Sequence, residues 1–340
     1  MQPGKSPPPI DLLNMITGHW KAQAIYVAAK LGIADVLRDG PMSSSAIASA
    51  VGAHPGSLYR LLRALGSLGV FRERSDGQFE LTPISVLLQT EHPGSMRSIT
   101  LAMCGPPYRA WEGAYYSVTT GKSAFEHIYG ESFFEHLAKD AEASRVFNEA
   151  MSNQSRMAHS AVAASYDFSP FTRIVDVGGG NGTLLELILR SHPSATGVLF
   201  DQPHVVENAR ERLARSDIAG RCEVVGGSFF ESVPMGGDAY IMAMVIHDWD
   251  DEAASTILKN CRRAMDSEAT LLLSELVIPP GGAPFFGKLL DLDMLINLGG
   301  KERTEDEYRS LLSACGFELL DIVPAHGPSS ALSIIECMPC

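Results

Sequence analysis

The 340-residue chain carries 45% hydrophobic and 20% charged residues and a formal net charge of −13. That composition predicts a soluble globular protein with room for two domains. The acidic balance argues against nucleic acid as a partner and favours a neutral or cationic ligand. No apolar run reaches bilayer length and the opening MQPGKSPPPI lacks a hydrophobic signal core, so no membrane partner is expected and the predicted location is the cytoplasm.

Residues 1–9 read as a disordered, proline-bearing leader. Residues 10–100 read as a winged-helix domain. A helix is predicted over Asp11 to Leu37, with Ile16, Trp20, Ala24, Val27, Ala28 and Leu31 at helical spacing. Ser43 to Ser45 cap a short helix, Gly52-Ala53-His54 makes the turn, and Pro55 opens a second helix bearing Leu58, Leu61, Leu62, Leu65 and Leu68. Val70 to Arg74 and Phe79 to Leu81 then flank Asp76-Gly77 as a hairpin. Residues 101–168 read as a mostly helical connection.

From 169 to 340 strands and helices alternate. Strands are predicted at 174–177, 196–200, 222–225, 239–246 and 269–277, with helices at 183–190, 205–215, 251–265 and 304–315. Two strands, 318–324 and 331–337, follow without a helix between them. This implies an α/β fold, a Rossmann-like parallel sheet closed by an antiparallel last strand. Six cysteines in so long a chain make no disulfide framework. Cys104, Cys222, Cys261 and Cys315 are expected to be small buried hydrophobes. Cys337 and Cys340 form a Cys-x-x-Cys pair with no second pair beside it, so no metal site is expected.

The strongest chemical signal is Asp176-Val177-Gly178-Gly179-Gly180-Asn181-Gly182, between the first strand and first helix of this sheet. Gly178 and Gly180 let a ligand approach the backbone, and the helix start offers free N–H groups. A dinucleotide site uses the same place. The spacing here differs from Gly-x-Gly-x-x-Gly, however, and Asp176 repels a pyrophosphate while suiting the ammonium of an amino-acid ligand. Asp201, ending the next strand, is placed to accept ribose hydroxyls or to cap the helix after Gln202-Pro203. Ser228 and Phe229, after the third strand, lie where an adenine would rest.

The third signal is Val245-Ile246-His247-Asp248-Trp249-Asp250-Asp251. His247 appears at the carboxyl edge of a strand, and an imidazole titrating near ~6.5 suits removal of a phenolic proton. Glu275 and Glu302 are each candidates to hold its other N–H, as in triad logic.

With these residues in view, the chain resembles the plant-type and bacterial small-molecule O-methyltransferases, a family that includes caffeic acid and phenazine methyltransferases. The resemblance rests on Val175-Asp176-Val177-Gly178-Gly179-Gly180, Phe200-Asp201-Gln202-Pro203-His204-Val205, His247-Asp248-Trp249 and Gly299-Gly300-Lys301-Glu302-Arg303-Thr304, and it covers nearly the whole chain. It implies S-adenosylmethionine as cofactor, S-adenosylhomocysteine as product, a homodimer through the N-terminal domain, a metal-independent in-line methyl transfer, and His247 as general base flanked by Glu275 and Glu302. It also implies Asp176, Gly178, Gly180, Asp201, Gln202, Ser228, Phe229 and Ala243 around the cofactor. Around the acceptor, a small aromatic hydroxyl compound, it implies Phe147, Met151, Gln154, Asp248, Met294 and Asn297.

Three positions depart from the family pattern. Ser228 stands where an acid is frequent, Ala243 lies near a lysine of plant members, and Gln154 replaces a common histidine. Relatives that methylate nitrogen, or that have turned to hydroxylation, decarboxylation or pericyclic chemistry, are alternatives. A DNA-binding regulator is disfavoured, because residues 11–90 carry seven basic and six acidic side chains.

Overall fold

The computed structural model describes residues 7–325 and 331–340, apart from the side chains of 152–157 and 208. The chain divides into two compact units, Met1–Arg109 with Leu137–Asn153, and Ala110–His136 with Gln154–Cys340. Residues of the segment 101–168 fall in both units. Among the described residues no helix is long and apolar enough to cross a membrane.

In the first unit the helix expected over Asp11 to Leu37 is three helices, Pro8–Ile16, Gly18–Leu31 and Ile33–Val36. The breaks fall at Thr17 and at Gly32, whose φ of 68° is left-handed. Helical chain thus starts at Pro8, inside the expected leader, because proline is tolerated in a first turn. The helix-turn-helix reading holds. Ser43 caps Ser44–Val51, and the His54 ring caps Pro55–Ser67 by accepting the Ser57 N–H. Leu58, Leu62 and Leu65, four and three residues apart, point into a core with Ile33, Ile47, Phe71 and Phe79. The wing is β2 (Phe71–Glu73) and β3 (Gln78–Leu81), and β1 (Met42–Ser43) adds an unexpected third strand beside β3.

The second unit is built on β4 (Arg173–Val177), β5 (Thr196–Asp201), β6 (Cys222–Gly226), β7 (Ala239–Ala243), β8 (Thr270–Ile278), β9 (Arg303–Thr304), β10 (Phe317–Pro324) and β11 (Leu332–Pro339). The order across the sheet is β10-β11-β8-β7-β4-β5-β6, with β9 paired to the end of β8. β4 through β8 run parallel, and β11 lies antiparallel between β8 and β10. The fold class expected from sequence is thus the one observed.

Chain order reverses beside β4, since β5 and β6 lie on one side and β7 and β8 on the other. Crevices at such a switch point, at the carboxyl ends of the strands, are where ligands bind in open α/β sheets. One face of the sheet is closed by Asp251–Ala264, which buries Ala254, Ile257, Leu258 and Cys261. Burial of each large aliphatic there stabilises by about 1.5–3 kcal/mol. Cys261 and Cys315 are buried as expected, whereas Cys104 and Cys222 are only half-buried.

Candidate active site

β4 delivers Asp176 to the crevice, one residue before its end. The side chain is 1% exposed, and neither carboxylate oxygen has a hydrogen-bond partner among the described residues. Burial, and next the charge of Asp201, raise it from an ordinary 3.8 to about 7, while the Leu185 N–H pulls only weakly the other way and lies outside hydrogen-bond geometry. An isolated buried carboxylate is costly, so this one is shaped for a cation. Gly179 explains how the loop passes it: a Cβ there would stand 2.5 Å from the Asp176 carboxyl carbon and from Leu199 Cδ1. The expected set contained Gly178 and Gly180 and missed Gly179, whose signal was the unbroken glycine run.

Asp201, at the end of β5, uses its carboxylate locally. Oδ2 accepts the Gly180 N–H at 2.8 Å and Oδ1 accepts the Gln202 N–H at 2.6 Å. It does not cap the following helix, whose N-cap Gln202 makes no side-chain cap. Ser228 Oγ accepts the Phe230 N–H and so closes its own turn. Phe229 is fixed by Asn260, which donates to its carbonyl at 2.7 Å, and packs edge-on to Trp249.

The second half of the site begins with a correction. β7 stops at Ala243 rather than Ile246, because Met244 takes a φ of 56°, the one positive value among the described non-glycine residues. The chain turns, Ile246–Asp248 winds into a 3-10 turn, and His247 sits on that turn rather than on a strand end. Glu275, on β8, holds the turn: its Oε1 accepts the Val245 N–H at 3.1 Å and the Ile246 N–H at 2.8 Å.

Of the two acids expected to compete for the imidazole, Glu302 makes the contact, with Oε1 2.7 Å from His247 Nδ1. Glu302 and Glu275 are brought together by pairing of β9 with β8, Val277 opposite Arg303. Asp248 Oδ1 lies 3.3 Å from Nε2. The ordinary imidazole value assumed from sequence does not survive these neighbours. Burial opposes the charge, but Asp248, Glu302 and Glu275 outweigh it and raise His247 to about 10. In turn burial pushes Glu275 up to about 7, with His247 pulling it down.

The loop before β9 fixes the backbone of His247. The Lys301 N–H donates to the His247 carbonyl at 2.8 Å, and a Cβ on Gly300 would stand 2.3 Å from that oxygen. Only glycine fits there.

Met294 and Asn297 lie on Gly287–Asn297, a helix the sequence reading did not assign. Both are buried; Asn297 donates to Asp293, which also accepts the Trp111 indole N–H at 2.7 Å, while Asn297 Oδ1 has no partner among the described residues. Ala243 is half-buried at the end of β7. Phe147 and Met151 are half-buried on Ala141–Ser165 and belong to the first unit. The side chain of Gln154 lies outside the described residues.

The unpaired buried acid of β4 and the carboxylate-held imidazole after β7 thus stand at the carboxyl ends of adjacent parallel strands, where α/β enzymes of this sheet type bind their ligands. Comparison with known proteins makes this specific. Residues 111–318 match the O-methyltransferase domain and residues 13–91 the O-methyltransferase dimerisation domain. The chain belongs to the S-adenosylmethionine-dependent O-methyltransferase family. It is 49% identical over 328 residues to a phenazine O-methyltransferase of Lysobacter antibioticus, covering 96% of this chain and 95% of that protein. It is 39% identical to an 8-amino-8-demethylriboflavin N,N-dimethyltransferase of Streptomyces davaonensis, covering 93% and 91%. A neocarzinostatin-biosynthesis O-methyltransferase solved with S-adenosylmethionine and 2-hydroxy-5-methyl naphthoic acid superposes with a TM-score of 0.84 at 34% identity, covering 94% and 96%.

Proposed function

We propose that this protein methylates a ring hydroxyl of a small fused-ring aromatic acceptor, with His247 taking up the hydroxyl proton. One observation carries the reading: the buried contact of His247 Nδ1 with Glu302 Oε1, on a turn held by Glu275. Acceptor class follows from the 49% identical phenazine O-methyltransferase.

The residues fit the cofactor. Two unpartnered, buried oxygens of Asp176 suit the ammonium of its amino-acid part. Asp201 keeps lone pairs for ribose hydroxyls beyond those used by Gly180 and Gln202. Gly178 and Gly180 allow close backbone approach, Phe229 offers a ring face to the adenine, and Gln202, Ser228 and Ala243 complete the lining. When bound, S-adenosylmethionine supplies a methyl activated by a sulfonium.

The protein's remaining work is orientation and proton handling. Glu302 fixes Nδ1, which leaves Nε2 for the acceptor in exchange for Asp248. Asp248, Glu302 and Glu275 raise the imidazole to about 10 in the free protein; exchange of Asp248 for the acceptor lowers it, while Glu302 and Glu275 keep it a stronger base for a phenol near ~10. The imidazolium present in the free protein at neutral pH must lose its proton before it can accept one, so reaction with free acceptor speeds up as pH rises above neutral. Asp248, Met294 and Asn297 contact the acceptor in this reading. Leu13, Met15, Ile16 and Trp20, exposed apolar side chains of the N-terminal helices, support a homodimer through residues 13–91.

A second reading is nitrogen methylation, favoured by the riboflavin relative and by an imidazole that keeps its proton at neutral pH, since a neutral amine attacks without a base. The test is a matched panel of hydroxy-, amino- and ring-nitrogen fused aromatics with labelled S-adenosylmethionine. O-methyl product from the hydroxy members supports the proposal, and exclusive N-methyl product overturns it.

A further inference from the structure

We propose that Arg303 is a positioning residue for this reaction, clamping the turn that carries His247 to the segment that carries Glu302; this rests on His247 as the proton acceptor. Arg303 is fully buried, the largest such side chain among the described residues. Burial of a guanidinium is tolerated only when its donors are met. All five N–H groups are used here. Nε and one Nη2 hydrogen donate to Asp251 Oδ1 at 3.0 and 2.8 Å, the other Nη2 hydrogen to the Trp249 carbonyl at 3.0 Å, and Nη1 to the carbonyls of Ile246 at 3.2 Å and Lys301 at 2.9 Å.

The placement of these acceptors carries the inference. Ile246, Trp249 and Asp251 bracket His247 and Asp248 on both sides, and Lys301 directly precedes Glu302. One rigid planar group therefore ties together the two backbone stretches whose side chains meet as His247 Nδ1 and Glu302 Oε1. A buried cation kept for stability alone is a poor choice, since apolar replacements of buried ion pairs are often neutral or stabilising. Asp251, its one ionic partner among the described residues, is itself largely exposed, with 60% of its side-chain surface accessible. A misplacement of about 1 Å costs on the order of 10²-fold in rate, so a fork of this kind acts on turnover. Lysine offers three donors from one point and cannot reproduce it.

The experiment is a double-mutant cycle on the full-length protein, with kcat, KM and S-adenosylhomocysteine Kd measured for Arg303→Lys, Glu302→Ala and the pair. Arg303→Lys is expected to lower kcat by about 10²-fold while the S-adenosylhomocysteine Kd moves less than about threefold. In the Glu302→Ala background the same change is expected to cost under about threefold, because the contact it aligns is already gone. Multiplying losses, or an equal loss of ligand binding, overturns the proposal. Should Arg303→Lys fail to fold, Asp251→Asn loosens the fork from its solvent side, and a kcat fall of roughly three- to tenfold, absent from the Glu302→Ala background, is the expected result. An unchanged kcat there overturns it too. The parent reading fails separately, if His247→Ala keeps full turnover.

Discussion

The loop after β4 and the turn after β7 face the same switch point, and both bury carboxylates, yet they use them in opposite ways. Asp176 accepts no hydrogen bond among the described residues. Glu275 accepts two backbone N–H groups and Glu302 holds an imidazole nitrogen. An acid without a partner is a binding device, whose cost is relieved by an incoming cation. An acid already engaged with the protein is a positioning device. The difference shows that burial alone does not assign a role; the state of the lone pairs does.

The sharpest way to break this comparison is Asp176→Asn. It removes the charge meant for the ligand and is expected to weaken S-adenosylmethionine binding by about 10²–10³-fold by calorimetry. Its effect on stability has the opposite sign. An acid raised from 3.8 to about 7 on folding destabilises the ionised protein, a cost that grows as pH rises from 3.8 and fades as pH falls below about 7. The ligand-free variant should therefore melt roughly 3–6 °C higher at pH 8, with the gain shrinking toward pH 5. Equal binding, or a lower melting point at pH 8, contradicts the assignment.

Next in size is Gly300→Ala. The added Cβ meets the His247 carbonyl and must shift the turn, so kcat is expected to fall roughly 10- to 100-fold with cofactor Kd nearly unchanged.

A finer probe is the pH profile of kcat/KM, which reports groups of the free protein. It should rise from neutral toward about 10, the value to which Asp248, Glu302 and Glu275 lift His247 against burial. Asp248→Asn should move that limb down by about one unit or more. A limb near 6.5 in the parent protein excludes the charge cluster as its cause. The smallest effect is expected from Glu275→Gln, which keeps an acceptor for the Val245 and Ile246 N–H groups: a loss of only a few-fold in kcat, read in the same assay.

The glycine loop was legible because its signal is local. A strand, an acid, a glycine run and a helix follow one another in seven residues, and Gly179 alone escaped. Helix Asp251–Ala264 was legible for the same reason, with its apolar residues at regular spacing. The turn after β7 was not. Its apolar run reads straight through to Ile246, and nothing in local propensity announces a left-handed Met244. Helix Gly287–Asn297 was missed because burial along it does not follow a face: Leu289 and Ile296, seven residues apart, share one side of the helix, yet Leu289 is 65% exposed and Ile296 fully buried. The charge state of His247 was beyond reach, since two of its three acids arrive through β8 and the β9 segment paired with it. Arg303, a cation in a core, looks in sequence like a surface residue.

The central claim is that the two walls do separate jobs, and His247→Ala tests it most directly. Cofactor affinity and single-turnover methyl transfer should be measured on the same preparation. The expected result is an S-adenosylhomocysteine Kd within a few-fold of the parent and transfer to a hydroxyl acceptor slowed by about 10²–10⁴-fold. Undiminished transfer, or a loss of affinity as large as the loss of rate, would contradict the account.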